Sequence, residues 1–227
     1  MNHRLPGGFL LVIEGIDGAG KTTQAEAVAE VLRARGLEVV RSHEPTDGPW
    51  GRRIRESAVT GRMSPEEEAR AFMQDRREHV EQVIRPALDE GKVVILDRYY
   101  FSTAAYQGAR GLDPDRLLRE NEAFAVEPHL LALIDLPAEV GLRRVGHRDG
   151  RANEFETLVQ LQRSREIFLS LRKPCLVVID GQRSPEEIRD EILVAFSLKA
   201  VERIAAQAHL PPAERLAACL AVHGAGA

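Results

Sequence analysis

The sequence lacks features that are typical of secreted proteins, of proteins with cysteine-rich metal sites and of membrane proteins. It holds two cysteines, Cys175 and Cys219, far apart and in no C-x-x-C pattern, which argues against a disulfide framework or a zinc site. No apolar run approaches the roughly 18 residues that a membrane-spanning helix requires, and the N-terminal residues carry no signal-peptide core. We therefore expect a cytoplasmic protein with no membrane partner.

An excess of positive charge is also absent. The chain carries 31 basic and 35 acidic residues, a formal charge of -4, so no global field exists to hold a nucleic-acid backbone. A content of 44% hydrophobic and 29% charged residues is typical of a soluble protein with a real core. The length of 227 residues is within the range of a single α/β domain. We expect no nucleic-acid partner, and a small anionic ligand would need a local cluster of positive charge.

Short apolar runs alternate with helical patterns along the chain. Five runs read as strands: Phe9 to Glu14, Glu38 to Ser42, Val93 to Asp97, Leu130 to Leu136 and Cys175 to Asp180. The helical patterns between them include Thr22 to Arg35, Pro65 to Glu90 and Asn153 to Leu171. Most of the strand runs are continuously apolar, which is the pattern of a parallel sheet covered on both faces. The alternation predicts a doubly wound, three-layer α/β fold.

Two helix starts have the capping-box spacing. Ser64 precedes Glu67, and Ser184 precedes Glu187, each with proline at the first helical position. These signals predict helices that begin at residues 65 and 185.

A phosphate-binding motif lies between the first strand and the first helix. Residues 15–22 read G-I-D-G-A-G-K-T, which matches G-x-x-x-x-G-K-[ST]. Backbone N–H groups of such a turn and the helix N-terminus attract phosphate, Lys21 would reach the β- and γ-phosphates, and Thr22 would ligate Mg²⁺. A turn that merely joins strand to helix is the alternative, which the register of strand, motif and helix disfavours. We assign nucleotide binding to Gly15, Ile16, Asp17, Gly18, Ala19, Gly20, Lys21, Thr22 and Thr23.

Two charged residues follow the third strand. Asp97 and Arg98 stand at the carboxyl edge of the predicted sheet, where ligands of open α/β sheets bind. Asp97 is a candidate metal ligand together with Thr22, and Arg98 is a candidate to bridge phosphates. An ion pair that ends the strand is the alternative for Asp97.

Arginines cluster between the fourth strand and the following helix. Arg143, Arg144, Arg148 and Arg151 are interspersed with glycines. A flap that carries arginines could close over the triphosphate, exclude water and stabilise the transferring group. A solvated basic loop fits the composition equally well, and composition alone does not decide between them.

Three segments together resemble the thymidylate kinases: E-G-I-D-G-A-G-K-T-T-Q at 14–24, D-R-Y at 97–99 and S-T-A-A-Y-Q-G at 102–108. The resemblance extends to about Leu198. It implies a P-loop kinase domain over 1–198 with a small lid at about 143–155, and leaves 199–227 as a C-terminal helical extension of unknown role. The implied fold is the three-layer P-loop NTPase fold, a five-stranded parallel sheet with helices on both faces. The implied reaction is phosphorylation of dTMP to dTDP with ATP and Mg²⁺, by a homodimer.

The resemblance also implies roles for residues around the acceptor. Asp17 would bind the deoxyribose 3′-hydroxyl, and Arg98 would grip the acceptor phosphate. Phe72 would stack on thymine while Arg76, one turn later on the same helix face, bonds the base carbonyl. A core aromatic on an amphipathic helix is the alternative for Phe72. Thr103, Tyr106 and Gln107 would form the wall against base and sugar, with Tyr106 crowding a 2′-hydroxyl.

Two positions distinguish this chain within the resemblance. Ala19 stands where one branch of the family has a catalytic arginine, so the chain resembles the branch whose lid supplies that charge, and we choose Arg144 and Arg148. Lys21 and Arg98 complete the predicted catalytic set. The family's usual Arg-Glu-Pro is His43-Glu44-Pro45 here. The function of the arginine that this chain lacks at position 43 is then either lost or carried out by one of Arg52, Arg53 and Arg55.

Two other functions fit parts of the pattern. A kinase of the same fold could act on another nucleotide or on a deoxynucleoside, although Arg98 and the S-T-A-A-Y-Q segment favour dTMP. A P-loop switch protein would hydrolyse its nucleotide slowly, but no N-K-x-D guanine-reading motif is present and a switch needs no acceptor pocket. Because a monophosphate is already ionised near neutral pH, transfer needs positioning and positive charge more than a general base.

Overall fold

The strands observed in the structure match the apolar runs of the sequence. The computed structural model describes residues 3–149 and 158–223. The strands are β1 (Phe9–Glu14), β2 (Val39–His43), β3 (Val93–Asp97), β4 (Leu130–Asp135) and β5 (Leu176–Asp180). All five predicted strands are confirmed, with ends shifted by at most one residue.

The strands form one parallel sheet in the order β2-β3-β1-β4-β5. Every residue of β1 and β3 is buried, whereas β2 and β5 at the two edges are partly exposed. Because successive side chains of a strand point to opposite faces, complete burial requires helices on both faces of the sheet. This confirms the predicted three-layer fold. The register pairs Asp97 with Ile13 on one side and with His43 on the other, so the ends of three strands meet at one edge.

The helices fill the connections between the strands. They are α1 (Lys21–Ala34), α2 (Pro49–Thr60), α3 (Pro65–His79), α4 (Arg85–Asp89), α5 (Tyr100–Ala109), α6 (Pro114–Glu122), α7 (Ala138–Asp149), α8 (Leu158–Ser170), α9 (Pro185–Ala206) and α10 (Pro212–His223). Both predicted capping boxes are present, at Ser64 with Glu67 and at Ser184 with Glu187.

The single helix predicted over Pro65 to Glu90 is interrupted. A π-helical segment, Val80–Ile84, separates α3 from α4. Pro86 follows at the second position of α4, where it has no N–H to close a regular helical turn and crowds the carbonyl four residues earlier. The wider turn accommodates this proline without ending the helical path.

The C-terminal helices pack against the main hydrophobic core. Helix α9 runs without a break through Leu198 and Lys199, so the predicted boundary falls inside a helix. Helix α10 buries Ala218, Ala221 and Val222 in the main hydrophobic core. In the described part of the chain, none of the helices has the length and apolar character to cross a membrane.

Candidate active site

Two clefts open at the carboxyl ends of β1 and β3, and Asp17 and Arg98 line both of them. The first, the donor cleft, has a volume of about 330 Å³ and is lined by Asp17, Gly18, Gly20, Lys21, Thr22, Thr23, Asp97, Arg98, Arg144 and Val145. The second, the acceptor cleft, has a volume of about 240 Å³ and is lined mainly by residues of α2, α3 and α5. Groups bound in the two clefts would therefore meet at Asp17 and Arg98.

The glycines of the loop Gly15 to Gly20 have backbone conformations that other residues rarely adopt. Gly18 has φ 82°, and a Cβ atom there would lie 2.4 Å from the carbonyl oxygen of Gly141 in α7. Gly20 has φ 90° and directly precedes α1. Ile16 and Ala19 are buried and line neither cleft. The N-terminus of α1 thus opens toward the donor cleft, which favours an anion there.

Lys21 lies almost entirely within the protein, with 6% of its surface exposed. Its Nζ donates a hydrogen bond to the Ile16 carbonyl at 2.9 Å and lies 3.9 Å from Asp17 Oδ1. Burial, followed by the positive charge of Arg98, lowers the pKa of Lys21 to about 8. A phosphate in the donor cleft would add negative charge beside this ammonium group and favour its charged form.

Thr22 and Asp97 form the candidate metal site. The Thr22 hydroxyl donates to Asp97 Oδ2 at 2.5 Å. Asp97 Oδ1 is buried and has no hydrogen-bond partner among the described residues. Those same residues contain no group of three or more carboxylate, histidine or cysteine side chains that could hold a metal ion. One hydroxyl and one carboxylate fit Mg²⁺, which takes few protein ligands and completes its shell with phosphate oxygens and water.

Arg98 occupies the junction of the two clefts in an unusual backbone conformation. It is the one described non-glycine residue with positive φ, at 71°. Its guanidinium forms an ion pair with Asp17 and donates from Nη1 to Ser102 Oγ at 3.3 Å. It also lies 5.3 Å from the centre of the Tyr106 ring. Since a left-handed residue other than glycine costs about 1–2 kcal/mol, the surrounding contacts must hold this turn.

Glu14 is a buried carboxylate that belongs to the 14–24 motif but not to the predicted site residues. It ends β1 with no exposed surface, and Oε1 accepts hydrogen bonds from the backbone N–H groups of Tyr99 and Ser102 at 2.8 and 3.0 Å. Oε2 accepts from the Ser102 hydroxyl at 2.6 Å. Burial raises the pKa of Glu14 to about 7, against the opposing effect of its hydrogen bonds and of Arg98. An acidic residue that ends an otherwise apolar, doubly covered strand is the signal that could have identified it.

All the residues predicted for the acceptor line the acceptor cleft: Asp17, Phe72, Arg76, Arg98, Thr103, Tyr106 and Gln107. Phe72 is partly exposed to the cleft, as a stacking surface requires, rather than fully buried. Gln107 donates from Nε2 to Glu68 Oε2 at 2.8 Å, which fixes the orientation of its amide.

Arg76 is held by a network that the sequence did not reveal. Only 1% of the residue is exposed. Its Nε donates to Glu44 Oε2 at 2.8 Å, Nη1 donates to Asn121 Oδ1 at 2.5 Å, and Nη2 donates to Thr103 Oγ1 at 3.1 Å. Glu44 also contacts His79 Nδ1 at 3.0 Å. Buried charges are stable when paired in this way, and the guanidinium is therefore fixed in one orientation beside Thr103.

The arginines expected in a lid begin on a helix. Arg143 and Arg144 belong to α7, and Arg144 donates to the carbonyl of Gly18 at 3.3 Å and to that of Gly181 at 3.3 and 3.4 Å. The span of α7 includes Arg148, but its side chain lies outside the described residues, as do Arg151 and lid positions 150–155. Arg144 is thus the predicted lid arginine that the structure brings to the donor cleft.

His43 lines neither cleft. Its ring nitrogen lies 3.8 Å from Asp47, and about half of its side chain is exposed. Of the arginines considered as replacements, Arg55 lines the acceptor cleft and donates to the carbonyls of Pro45 and Thr46 at 3.0 and 2.8 Å. Arg53 instead stacks over Trp50.

Comparison with known proteins gives a consistent result. Residues 13–192 match the family model described as thymidylate kinase. A thymidylate kinase of Xylella fastidiosa (strain M23) is 53% identical over 184 residues, which cover 81% of this chain and 84% of that protein. Thymidylate kinases of Xanthomonas euvesicatoria pv. vesicatoria (strain 85-10) and Xanthomonas campestris pv. campestris (strain B100) are 48% and 47% identical, and the alignments cover 90% and 93% of both chains. With a family model matched over most of its length and relatives at this level of identity, the chain belongs to the thymidylate kinase family.

Proposed function

We propose that the chain transfers the γ-phosphoryl group of ATP to the phosphate of dTMP, with Mg²⁺ as the metal, and forms ADP and dTDP. The observation that carries this proposal is that Asp17 and Arg98 line both clefts. Two anions must come together with the acceptor oxygen in line with the transferred phosphorus, so the shared wall is where a bridging cation is needed. A protein that only hydrolysed nucleotide would have no use for the second cleft.

The donor cleft suits a triphosphate. The loop Gly15 to Gly20 and the N-terminus of α1 would hold the phosphates, and Lys21 would neutralise them. Thr22 and Asp97 would hold Mg²⁺, which when bound neutralises phosphate charge. The partnerless Asp97 Oδ1 supports this assignment.

The acceptor cleft suits a pyrimidine deoxynucleotide. Phe72 would stack on the base, Arg76 and Gln107 would bond its polar edge, and Thr103 and Tyr106 would line the base and sugar. Asp17 would position the 3′-hydroxyl. Support comes from the fixed orientations of Arg76 and Gln107, because pre-oriented polar groups discriminate well between similar bases.

Positive charge around the transferring group would come from Lys21, Arg98 and the α7 arginines. Arg144 lines the donor cleft, which supports a role in supplying this charge. Arg148 is included because the family resemblance implies the same role for it. Arg55 is the arginine that we propose in place of the one missing at His43, because it lines the acceptor cleft. Together these cations would stabilise the charge that develops on the transferring phosphoryl group.

A homodimer in the cytoplasm is part of the same proposal. Val59 of α2 is 88% exposed, which a partner subunit could cover. Cys175 and Cys219 are free thiols, as a reducing compartment would keep them. Sedimentation of the purified protein measures the first point, because a dimer has twice the mass of the 25.2 kDa chain.

The test is ADP release from ATP and Mg²⁺ with dTMP, dUMP, dCMP, dGMP, UMP and thymidine added one at a time. We expect turnover with dTMP and weaker turnover with dUMP. Turnover with a different acceptor would keep the kinase and overturn its specificity. Turnover that ignores every acceptor would overturn the phosphoryl transfer itself.

A further inference from the structure

Glu14 is an ionisable, fully buried side chain at the carboxyl end of β1, beside the two clefts. The proposed reaction gives this side chain no role. It immediately precedes the phosphate loop at Gly15, yet its carboxylate makes its hydrogen bonds with the segment that follows β3. A buried carboxylate without pairing is costly, so its partners explain why it is tolerated. They also show what it holds.

The first contact of Glu14 is with the start of α5. Tyr99 is the N-cap residue of that helix, and its side chain makes no capping hydrogen bond. Glu14 Oε1 accepts from the N–H groups of Tyr99 and Ser102 instead, so a residue of the neighbouring strand satisfies this helix start. A negative charge at this position is also favoured by the helix dipole.

The second contact leads to Arg98. The Ser102 hydroxyl donates its proton to Glu14 Oε2 at 2.6 Å, and its oxygen accepts from Arg98 Nη1 at 3.3 Å. The other terminal nitrogen of the guanidinium, Nη2, donates to Asp17 Oδ1. The backbone N–H of Arg98 donates to Ile13 at 3.0 Å. The end of β1 therefore holds both the backbone and the side chain of Arg98.

We propose that Glu14 is a positioning residue, which acts through Ser102 and the first turn of α5 to hold the Arg98 guanidinium between the donor and acceptor clefts. The proposal rests on the phosphoryl transfer proposed above. It accounts for the left-handed Arg98, because the two N–H bonds and the hydroxyl bond fix the residues on its C-terminal side. Glu14 lines neither cleft, so any effect on turnover passes through the residues that it holds, and the proposal assigns that effect to Arg98.

The test is a double-mutant cycle measured on kcat/KM for dTMP. Glu14→Gln keeps the size of the side chain and removes its charge, and Ser102→Ala removes the hydroxyl that links Glu14 to Arg98. Each is made alone and combined with Arg98→Ala. We expect each variant to lower kcat/KM about tenfold alone and less than about twofold when Arg98 is already alanine, as residues that act through one another do.

Ser164→Ala is the matched control for the serine variant. Ser164 is buried in α8, and its hydroxyl has no hydrogen-bond partner among the described residues. It should leave kcat/KM unchanged. Losses of equal size in the wild-type and Arg98→Ala backgrounds would overturn the proposal, because Glu14 would then act by another route.

Amide hydrogen exchange separates this proposal from the proposed reaction. At a pH above 7, where Glu14 is ionised, Glu14→Gln replaces charge-assisted hydrogen bonds by neutral ones, so the amides of Tyr99 and Ser102 should exchange about tenfold faster. Unchanged exchange together with unchanged turnover would refute the positioning role. Wild-type protein without dTMP-dependent turnover would refute the proposed reaction, and the exchange rates would then decide alone whether Glu14 holds the turn.

Discussion

Replacement of Arg98 separates a catalytic role from a structural one unusually well. The guanidinium lines both clefts, so its loss removes a cation from the place where donor and acceptor phosphates meet. Removal of one well-placed donor to a developing charge costs about 2.7–4 kcal/mol, or about 10²–10³ in kcat. We expect Arg98→Ala and Arg98→Gly to lose turnover to this extent alike.

The two variants should differ in stability. Arg98 has φ 71°, a conformation that glycine adopts freely and alanine does not. Arg98→Gly should therefore unfold at a higher temperature than Arg98→Ala, by about 2–4 °C for a difference of about 1 kcal/mol in a chain of this size. Coupled ADP release gives kcat, and thermal unfolding followed by circular dichroism gives the stability.

The outcomes discriminate between the two roles. Near-wild-type turnover in both variants would refute the role assigned to the guanidinium. An inactive alanine variant beside an active glycine variant would show that backbone geometry, and not the charge, carries the effect. Arg98→Lys is the matched control, since it keeps a charge but loses the planar fork and should fall between wild type and alanine.

Three further predictions follow from the contacts of the site. Phe72→Ala should raise the KM for dTMP about 5- to 150-fold with a smaller change in kcat, since stacking on one base contributes about 1–3 kcal/mol; steady-state kinetics with dTMP varied measures it, and loss of folding without loss of affinity in the folded fraction would favour a core role. Asp97→Asn should raise the Mg²⁺ concentration needed for half-maximal turnover at least about tenfold, and an unchanged Mg²⁺ titration would contradict the assignment of Asp97 with Thr22 to the metal. Burial raises the pKa of Glu14 to about 7 from 4.5, so the unfolded chain releases this proton before the folded one does, and the contribution of Glu14 to stability falls as pH rises from 4.5 to 7. Glu14→Gln does not titrate, so the free energy of unfolding of this variant should rise relative to that of the wild type by up to about 3 kcal/mol between pH 4.5 and 7. Urea unfolding of both proteins at the two pH values measures this difference, and a difference that does not change with pH would contradict the prediction.

Local patterns in the sequence predicted most of the fold. Continuous apolar runs such as Val93–Asp97 identify buried parallel strands, and Ser64 with Glu67 marks the start of α3, because these signals depend on neighbours along the chain. The π-helical segment Val80–Ile84 was missed, although Pro86 was visible in the sequence as a residue that a regular helix accommodates poorly.

The candidate site was predictable in part. The phosphate loop could be named because it is a motif with fixed local spacing, whereas the lining of the acceptor cleft was implied by the resemblance to a known family. The network around Arg76 could not, because Glu44 and Asn121 are separated from it by 32 and 45 residues. The same holds for Glu14 and Ser102, which are 88 residues apart. Such contacts depend on how the strands are ordered in the sheet, which spacing along the chain does not express.

The most direct test of the central claim is the balance of products. Purified protein is incubated with ATP, Mg²⁺ and dTMP, and nucleotides and inorganic phosphate are separated and quantified over time. Phosphoryl transfer between two adjoining clefts predicts dTDP and ADP in equal amounts, with inorganic phosphate at background. ADP accompanied by inorganic phosphate and no dTDP would contradict the account, since water and not dTMP would then be the acceptor.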